Sequence, residues 1–254
     1  MHGMLKQNDK RIVGGDRAVI KEFPWMAELR QSMDRVSCGG ALINHCFVLT
    51  AAHCFKMEPD FDIIITLGTD KSKFTAGTVV RHPIEKIRHP LYDRLFKHDD
   101  IMLLLLNETV VYNDNIQPIS LPTDGDNYTG LVPIIMGFGY QKYNGQASDT
   151  LRDVYVPVIP NEECQEIFGV NTTILPTQLC AGGQEGKDAC LGDSGSPLVL
   201  ENNKQFTQIG LVSWGVRCAL KGVPGVYTRV ASYTGWIQEV VSQYDENCKI
   251  RKID

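Results

Sequence analysis

Short stretches in which apolar and polar residues alternate recur along most of this chain, and residues that favour turns bound each of them. Alternation with a period of two is typical of β-strands, and short strands at this spacing predict a β-barrel or a β-sandwich. The predicted strands are Ser37–Ile43, Ile63–Leu67, Ile101–Leu106, Val132–Gly137, Asp153–Val158, Pro197–Leu200 and Gln208–Ser213.

Helical signals are confined to two segments of the chain. The segment Asn161–Phe168 starts with Asn161, which is suited to cap a helix, and Glu163 adds negative charge to the first turn. The second segment, Tyr233–Tyr244, predicts a helix near the C-terminus. Its expected apolar face comprises Trp236, Ile237, Val240 and Val241.

Length and composition favour one compact unit. The 254 residues contain no Pro/Gly/Ser-rich linker and no repeat, so we expect a single unit built from two halves. The longest apolar run, Ile101–Leu106, is far shorter than the roughly 20 residues of a membrane-spanning helix.

The charge of the chain bears on its partners. A net charge of −5 argues against a protein that binds nucleic acids without regard to sequence. The basic stretch from Arg81 to Arg94 is either an exosite or solvated surface, and solvated surface is favoured.

Eight cysteines accompany three Asn-x-Thr sequons, at Asn107, Asn127 and Asn171. This combination indicates an oxidising environment, so we expect a secreted protein. Residues 1–10 lack the apolar core of a signal peptide, and we expect that the natural signal or an upstream domain has been replaced here.

The most informative stretch places Ser194 between Asp193 and Gly195, on a glycine-rich turn that exposes the serine. A serine hydroxyl becomes an effective nucleophile when a histidine takes its proton and a carboxylate orients that histidine. His53, which has a small residue before it, and Asp100, at the start of an apolar run, are the candidates.

Asp99 and Asp100 compete for the orienting role. Asp100 begins a predicted buried strand, where an unpaired carboxylate costs on the order of several kcal/mol, so we assign it to His53 and expect Asp99 to face solvent. Adjacent residues on a strand point to opposite sides, which argues against a metal site formed by His98 and Asp99.

Together with Arg11–Gly15 and Ser213–Gly215, these motifs stand in the order found in the trypsin-like serine proteases, which residues 11 to about 245 resemble. The resemblance implies an all-β fold of two six-stranded antiparallel β-barrels with a C-terminal helix, and a catalytic groove between the barrels. It divides the chain into a leader, residues 1–11, and a peptidase domain, residues 12–254, whose barrel halves cover about residues 12–120 and 121–254.

The resemblance also implies a reaction, the hydrolysis of peptide bonds after Arg or Lys through an acyl-enzyme. Ser194 would attack the bond, His53 would transfer the proton, and Asp100 would hold the imidazole tautomer. The backbone N–H groups of Gly192 and Ser194 would bind the oxyanion. The implied partners are protein or peptide substrates and protein protease inhibitors.

A pocket for the basic residue is implied by Asp188, which matches the residue at the pocket base in this family and would pair with substrate Arg or Lys. Gly215 and Gly225 would leave the pocket walls open. Residues Ser213 to Gly215 would pair with the substrate backbone. Trp214 would either form the floor of the substrate subsite next to this pocket or pack in the core.

Arg11 and Ile12 resemble the activation site of a zymogen, so an activating protease is a further implied partner. Cleavage between them would create an ammonium at Ile12 that pairs with Asp193 and orders the oxyanion loop. A flexible loop followed by a strand is the alternative interpretation. No cysteine lies near Ser120, so we expect an upstream segment to be released on cleavage.

Three departures from the family pattern narrow these expectations. Arg217 replaces a glycine at the pocket mouth, which would narrow the substrate range or favour acidic flanking residues. Pro224 replaces the tyrosine of sodium-regulated members, and the loop from Leu67 to Arg81 lacks the acidic pair that holds calcium in digestive trypsins. We therefore expect no sodium regulation, no structural calcium and no cofactor.

The resemblance implies three disulfides and leaves two cysteines over. In the family fold the C-terminal helix packs near the strand that carries Cys46, so we expect Cys46 to pair with Cys248. Two free thiols, or a Cys248 reserved for an upstream segment, are the alternatives. The three implied pairs are Cys38 with Cys54, Cys164 with Cys180, and Cys190 with Cys218.

A rival hypothesis from another functional class is a protease-like binding or adaptor module without useful turnover. The intact set of Ser194, His53 and Asp100 counts against it. The missing calcium ligands, the sequons and Arg217 favour a regulatory protease that makes limited cleavages.

Overall fold

The computed structural model describes residues 14–32, 35–55, 63–72, 75–123, 127–141 and 145–249. Within these ranges the chain forms fifteen strands, two α-helices and two 3-10 turns. The strands are β1 (Asp16–Arg17), β2 (Met26–Ser32), β3 (Arg35–Leu42), β4 (Phe47–Thr50), β5 (Ile64–Leu67), β6 (Val79–Arg81), β7 (Pro83–Arg88), β8 (Met102–Leu106), β9 (Ile134–Gly137), β10 (Arg152–Tyr155), β11 (Val158–Ile159), β12 (Gln178–Gly182), β13 (Pro197–Asn202), β14 (Gln205–Trp214) and β15 (Pro224–Arg229). The helices are α1 (Asn161–Phe168) and α2 (Thr234–Ser242), and the 3-10 turns are Ala52–Cys54 and Val230–Tyr233.

The first sheet has the strand order β6-β5-β2-β3-β4-β8-β7, and its strand pairs are antiparallel. β6 and β7 lie at opposite edges of this sheet, yet only His82 separates them in the chain. They are therefore two parts of one bent strand that closes the sheet on itself, which leaves no open edge. Counted in this way, the first barrel has six strands.

The second sheet, with the order β1-β10-β9-β13-β14-β15-β12-β11, closes in the same manner. Its strands β10 and β11 are separated by Val156 and Pro157, so they too are parts of one interrupted strand. The short strand β1 adds to this barrel by pairing Asp16 with Asp153, although the sequence placed this region mostly with the first half. Two antiparallel six-stranded barrels confirm the predicted fold class.

The apolar run Ile101–Leu106 is buried on both faces, which explains why its residues do not alternate. Met102 and Leu104 belong to the cluster inside the first barrel, whereas Leu103 belongs to a cluster shared with α2. Each fully buried leucine contributes about 1.5–3 kcal/mol. The burial of Ile101 and β8 therefore fixes the position of Asp100, which directly precedes this buried run.

Helix α2 packs against the first barrel as the sequence predicted. Ile237 and Val240 are buried in the shared cluster, and Trp236 and Val241 are partly buried at its border. The helix is shorter than the predicted Tyr233–Tyr244 because a 3-10 turn takes its first residue and the α-helix ends at Ser242. No helix in the described ranges is long and apolar enough to cross a membrane.

Four disulfides brace the two barrels. The pair that sequence reasoning added to the family pattern joins Cys46 to Cys248, whose Cα atoms lie 5.2 Å apart. Because these cysteines lie 202 positions apart in the sequence, the bridge holds the C-terminal segment against the first barrel. The other pairs are those that the family resemblance implied, Cys38–Cys54, Cys164–Cys180 and Cys190–Cys218.

The expected capping role of Asn161 is wrong. Pro160 occupies the N-cap position of α1, and the side chain of Asn161 makes no capping bond. Instead, Asn161 Nδ2 donates to the carbonyl oxygens of Leu175 and Gln178, at 3.0 Å each. A tertiary contact between α1 and the start of β12 has therefore prevailed over the local capping preference.

Candidate active site

His53 and Asp100 meet at the ends of two paired strands of the first barrel. His53 lies in the 3-10 turn after β4, and Asp100 lies two residues before β8, which pairs with β4. His53 Nδ1 lies 2.7 Å from Asp100 Oδ2, and the backbone N–H of His53 donates to Asp100 Oδ1 at 2.9 Å. Because an ionised carboxylate only accepts hydrogen bonds, this contact places the imidazole hydrogen on Nδ1 and leaves the lone pair on Nε2.

Two residues of the second barrel complete the surroundings of Asp100. Ser213 Oγ donates to Asp100 Oδ2 at 2.5 Å, and Thr228 Oγ1 donates to the carbonyl oxygen of Asp100 at 2.8 Å. Asp100 has no exposed surface, so these bonds offset the cost of removing its polar groups from water. The sequence motif around Ser213 predicts only substrate pairing, and no sequence signal marks Thr228.

The expectation that Asp99 faces solvent is wrong. Asp99 is half-buried with φ 51°, and its Oδ1 accepts a hydrogen bond from the Tyr233 hydroxyl at 2.8 Å. Burial raises the pKa of Tyr233, and the hydrogen bond to Asp99 raises it further. Asp99 therefore joins the segment before β8 to the 3-10 turn before α2.

Ser194 lies in the turn between β12 and β13, which is docked against the first barrel. Gly195 has φ 75°, and a Cβ there would lie 2.2 Å from Thr50 Oγ1, so the position requires glycine. The Gly39 N–H donates to the carbonyl oxygen of Ser194 at 2.8 Å, and Cys54 Sγ lies 3.6 Å from the same oxygen. These contacts hold the serine beside the 3-10 turn of the first barrel.

The backbone N–H groups of Gly192 and Ser194 are among those at this turn that have no acceptor in the part of the chain that the structure describes. Between them, the Asp193 N–H donates to the carbonyl oxygen of Cys190 at 2.9 Å. Gly192 has φ 88°, a left-handed conformation that favours glycine. Two such donors beside a serine hydroxyl form the kind of arrangement that stabilises an oxyanion.

Asp193 is fully buried, and each of its carboxylate oxygens accepts one backbone N–H. Gly139 donates to Oδ1 at 2.8 Å and Cys190 donates to Oδ2 at 2.9 Å. Burial raises the pKa of Asp193 to about 6, and the two N–H groups oppose that rise. No cationic side chain in the described ranges forms an ion pair with Asp193. Arg11 and Ile12, the expected source of a cation, lie outside the described residues.

Asp188 and Ser194 line one cavity of about 200 Å³. Asp188 is 6% exposed, and its Oδ2 accepts the Ala219 N–H at 3.0 Å. Burial raises the pKa of Asp188 to about 7, the N–H groups of Ala219 and Ala189 lower it, and Asp193 raises it. No cation among the described side chains pairs with Asp188, so a cationic ligand would meet a carboxylate without a counter-ion.

Glycines leave the approach to Asp188 open. A Cβ on Gly215 would lie 3.8 Å from Gly225 Cα, and a Cβ on Gly225 would lie 3.4 Å from Asp188 Oδ1. Side chains at either position would fill the space in front of the carboxylate. The cavity therefore suits a long, narrow side chain that ends in a cation.

Trp214, at the end of β14, lines both this cavity and an adjoining one of about 270 Å³. Its ring is half-buried and its centroid lies 5.0 Å from that of Phe168. Trp214 thus packs against α1 and also forms part of the cavity wall. Arg217 lines the first cavity and has φ 63°, a conformation for which glycine is favoured.

The described residues contain one group of potential metal ligands, formed by Cys38, His53 and Cys54. The two cysteines are joined in a disulfide, so neither offers the thiolate that binds a metal ion. The disulfide instead holds the turn that carries His53.

Comparisons with known proteins agree with this geometry. A family model described as Trypsin matches residues 12–237. Trypsin II-P29 of Gallus gallus is 39% identical over 240 residues, which cover 93% of this chain and 92% of the relative. Trypsin 5G1 of Aedes aegypti is 36% identical, with 91% of this chain and 85% of the relative covered. The proclotting enzyme of Tachypleus tridentatus is 35% identical, with 93% of this chain and 68% of the relative covered.

Proposed function

Because this chain belongs to the trypsin family and is a trypsin-like serine endopeptidase, we propose that Ser194, His53 and Asp100 carry out its hydrolysis of protein substrates. The observation that carries this proposal is the 2.7 Å contact between His53 Nδ1 and the buried Asp100, which leaves Nε2 free to accept a proton. Ser194 and the specificity candidate Asp188 line one cavity, so the proposed nucleophile lies in the wall of the proposed substrate pocket.

Acylation begins when Ser194 Oγ attacks the carbonyl carbon of the scissile bond. His53 Nε2 takes the hydroxyl proton, and the ionised Asp100 stabilises the imidazolium through Nδ1 without itself taking a proton. The oxyanion that forms accepts hydrogen bonds from the N–H groups of Gly192 and Ser194, and one such donor lowers the barrier by about 3 kcal/mol. The C–N bond then breaks, the leaving amine takes the proton from His53, and the acyl group stays on Ser194.

Deacylation repeats these steps with water as the nucleophile. His53 accepts a proton from the water, whose oxygen attacks the acyl carbon. The same two N–H groups hold the second oxyanion. The bond to Ser194 Oγ breaks, Oγ regains its proton from His53, and the carboxylic acid product leaves.

Asp188 selects substrates with Arg or Lys directly before the scissile bond. The carboxylate is buried without a cationic partner in the described ranges, and Gly215 and Gly225 keep its approach open. A guanidinium can satisfy such a carboxylate through two hydrogen bonds, which compensates for the desolvation of both groups.

The enzyme is made as a zymogen, with a leader of residues 1–11 and a peptidase domain of residues 12–254, and cleavage after Arg11 activates it. The Ile12 ammonium then pairs with Asp193, whose carboxylate is buried against two backbone N–H groups. Supporting this proposal, a Cβ at Gly14 would lie 1.9 Å from the carbonyl oxygen of Gly186, so the start of the described chain passes close to the loop that leads to Asp193.

The protein is secreted and acts by limited, regulatory cleavage. Four disulfides support an oxidising environment, and the sequon residues Asn107, Asn127 and Asn171 are exposed where a glycan could be attached. The similarity to a relative named proclotting enzyme supports a regulatory role.

An active-site titration with an organophosphorus reagent tests the proposal. After cleavage at Arg11, one equivalent of reagent should bind, peptide mapping should locate it on Ser194, and a Ser194→Ala variant should take up none. An activated, folded enzyme that is neither labelled nor able to hydrolyse Arg peptides would instead support a binding or adaptor module.

A further inference from the structure

Two cations border the cavity that contains Asp188. Lys97 belongs to the segment before Asp100, and Arg217 lies in the segment that follows β14. Both have left-handed backbones, with φ 51° for Lys97 and 63° for Arg217. The carboxylate that binds the basic residue is thus approached between two positive charges from opposite barrels.

Lys97 occupies the junction of two cavities. The cavity of Asp188 and the adjoining one share Lys97 and Trp214 in their walls, and the second also includes Leu95, Phe96 and Thr172. A substrate chain that leaves the Asp188 cavity past Trp214 therefore passes the ammonium of Lys97. The residues of the substrate that make this passage are those preceding the basic one.

The ammonium of Lys97 has no anionic partner within the part of the chain that the structure describes. Three carboxylates close to it in sequence are engaged elsewhere. Asp93 Oδ1 accepts the N–H groups of Leu95 and Phe96, Asp99 accepts the Tyr233 hydroxyl, and Asp100 accepts bonds from His53 and Ser213. A half-buried cation without a counter-ion gains from an incoming carboxylate.

We propose that Lys97 selects substrates that carry an acidic side chain within the three residues before the basic residue. This inference rests on the proposed function, because it assumes that Asp188 binds Arg or Lys. An ion pair at a partly exposed site is worth up to about 1 kcal/mol, which corresponds to about a fivefold preference.

The test uses peptide coumarin amides that end in Arg, with Asp or Asn placed in turn at each of the three preceding positions. Asp and Asn have nearly the same shape, so the ratio of their kcat/KM values reports the charge alone. At low salt at least one position should show a ratio of about five in favour of Asp. The ratio should fall toward one in about 1 M NaCl, where the Debye length is about 3 Å.

Charge variants at Lys97 supply the decisive comparison. Lys97→Gln should bring the ratio close to one, and Lys97→Glu should reverse it. Lys204→Gln is the matched control, because Lys204 also has a left-handed backbone, with φ 63°, but lies in the exposed turn of the β13–β14 hairpin. This control should keep the ratio of the unmodified enzyme.

The outcomes separate this inference from the proposed function. If the unmodified enzyme cleaves the Arg peptides but treats Asp and Asn alike at all three positions, the selectivity of Lys97 is overturned while the role of Asp188 stands. If peptides with Gln in place of Arg are cleaved equally well, the proposed function fails as well. If a Lys97 variant does not fold, the salt dependence of the unmodified enzyme decides the question.

Discussion

The hydrogen bond from Ser213 to Asp100 is the contact whose removal best tests the account of the triad. Ser213→Ala deletes a 2.5 Å bond to a carboxylate that has no exposed surface. Hydrogen bonds to charged groups contribute about 1.5–3 kcal/mol, and their loss leaves the buried charge less well compensated. For a chain of roughly this length, 1 kcal/mol corresponds to about 2–4 °C, so Tm should fall by about 3–12 °C.

Catalysis should weaken together with stability. Asp100 would keep its two contacts with His53, but its carboxylate would be held less firmly while it orients the imidazole. If about 1.4 kcal/mol of the lost interaction appears in the barrier, kcat falls about tenfold. KM should change little, because the Ser213 hydroxyl is directed at Asp100 and not at the substrate.

Ser196→Ala provides the matched control. Ser196 is also a fully buried serine in the second barrel, but its Oγ has no hydrogen-bond partner among the described residues. Its removal should therefore leave Tm unchanged or slightly raised. Differential scanning calorimetry and steady-state kinetics on an Arg peptide measure both effects. A Ser213→Ala variant that melts and turns over like the wild type would refute the assigned role of Ser213.

Three further predictions concern other parts of the structure. Burial raises the pKa of Asp188 to about 7, so benzamidine, a small amidinium, should bind with full affinity above pH 7 and lose about tenfold in affinity for each pH unit below it. The Asp188→Asn variant should bind benzamidine weakly at every pH. Calorimetry that shows constant affinity from pH 5 to 8 would contradict this prediction. Replacing Cys46 and Cys248 by serine should cost about 2–4 kcal/mol of unfolding free energy, and an unchanged denaturant midpoint would be inconsistent with a clamping role. A preparation with an intact Arg11–Ile12 bond, verified by mass spectrometry, should be nearly inactive, and full activity of that preparation would exclude the proposed activation.

Local motifs explain why much of the site could be predicted from the sequence. Ser194 and His53 stand among small residues whose chemistry is visible in a few neighbouring positions. Asp100 could be chosen over Asp99 because it begins a buried run. The contacts of Ser213 and Thr228 with Asp100 could not be predicted from the sequence, because they join residues that are 113 and 128 positions apart and depend on how the two barrels pack together.

The alternation pattern misses seven strands, β1, β2, β4, β6, β7, β12 and β15, and burial explains three of them. β4 and β12 are buried along their whole length, and β15 is buried except at its last residue, so they lack the alternation by which strands are detected. The local signal at Asn161 was misleading for the opposite reason. The side chain could cap a helix, but two carbonyl groups from a distant segment bind it instead.

The kinetics of Ser194→Ala test the central claim most directly. The activated variant should keep the fold and the Tm of the activated wild type while kcat on an Arg peptide falls on the order of 10⁶-fold, by comparison with removal of the nucleophile in another serine protease. This loss corresponds to about 8 kcal/mol of activation free energy. A freshly purified, uncontaminated variant that retained even a tenth of the wild-type turnover would show that Ser194 is not the nucleophile.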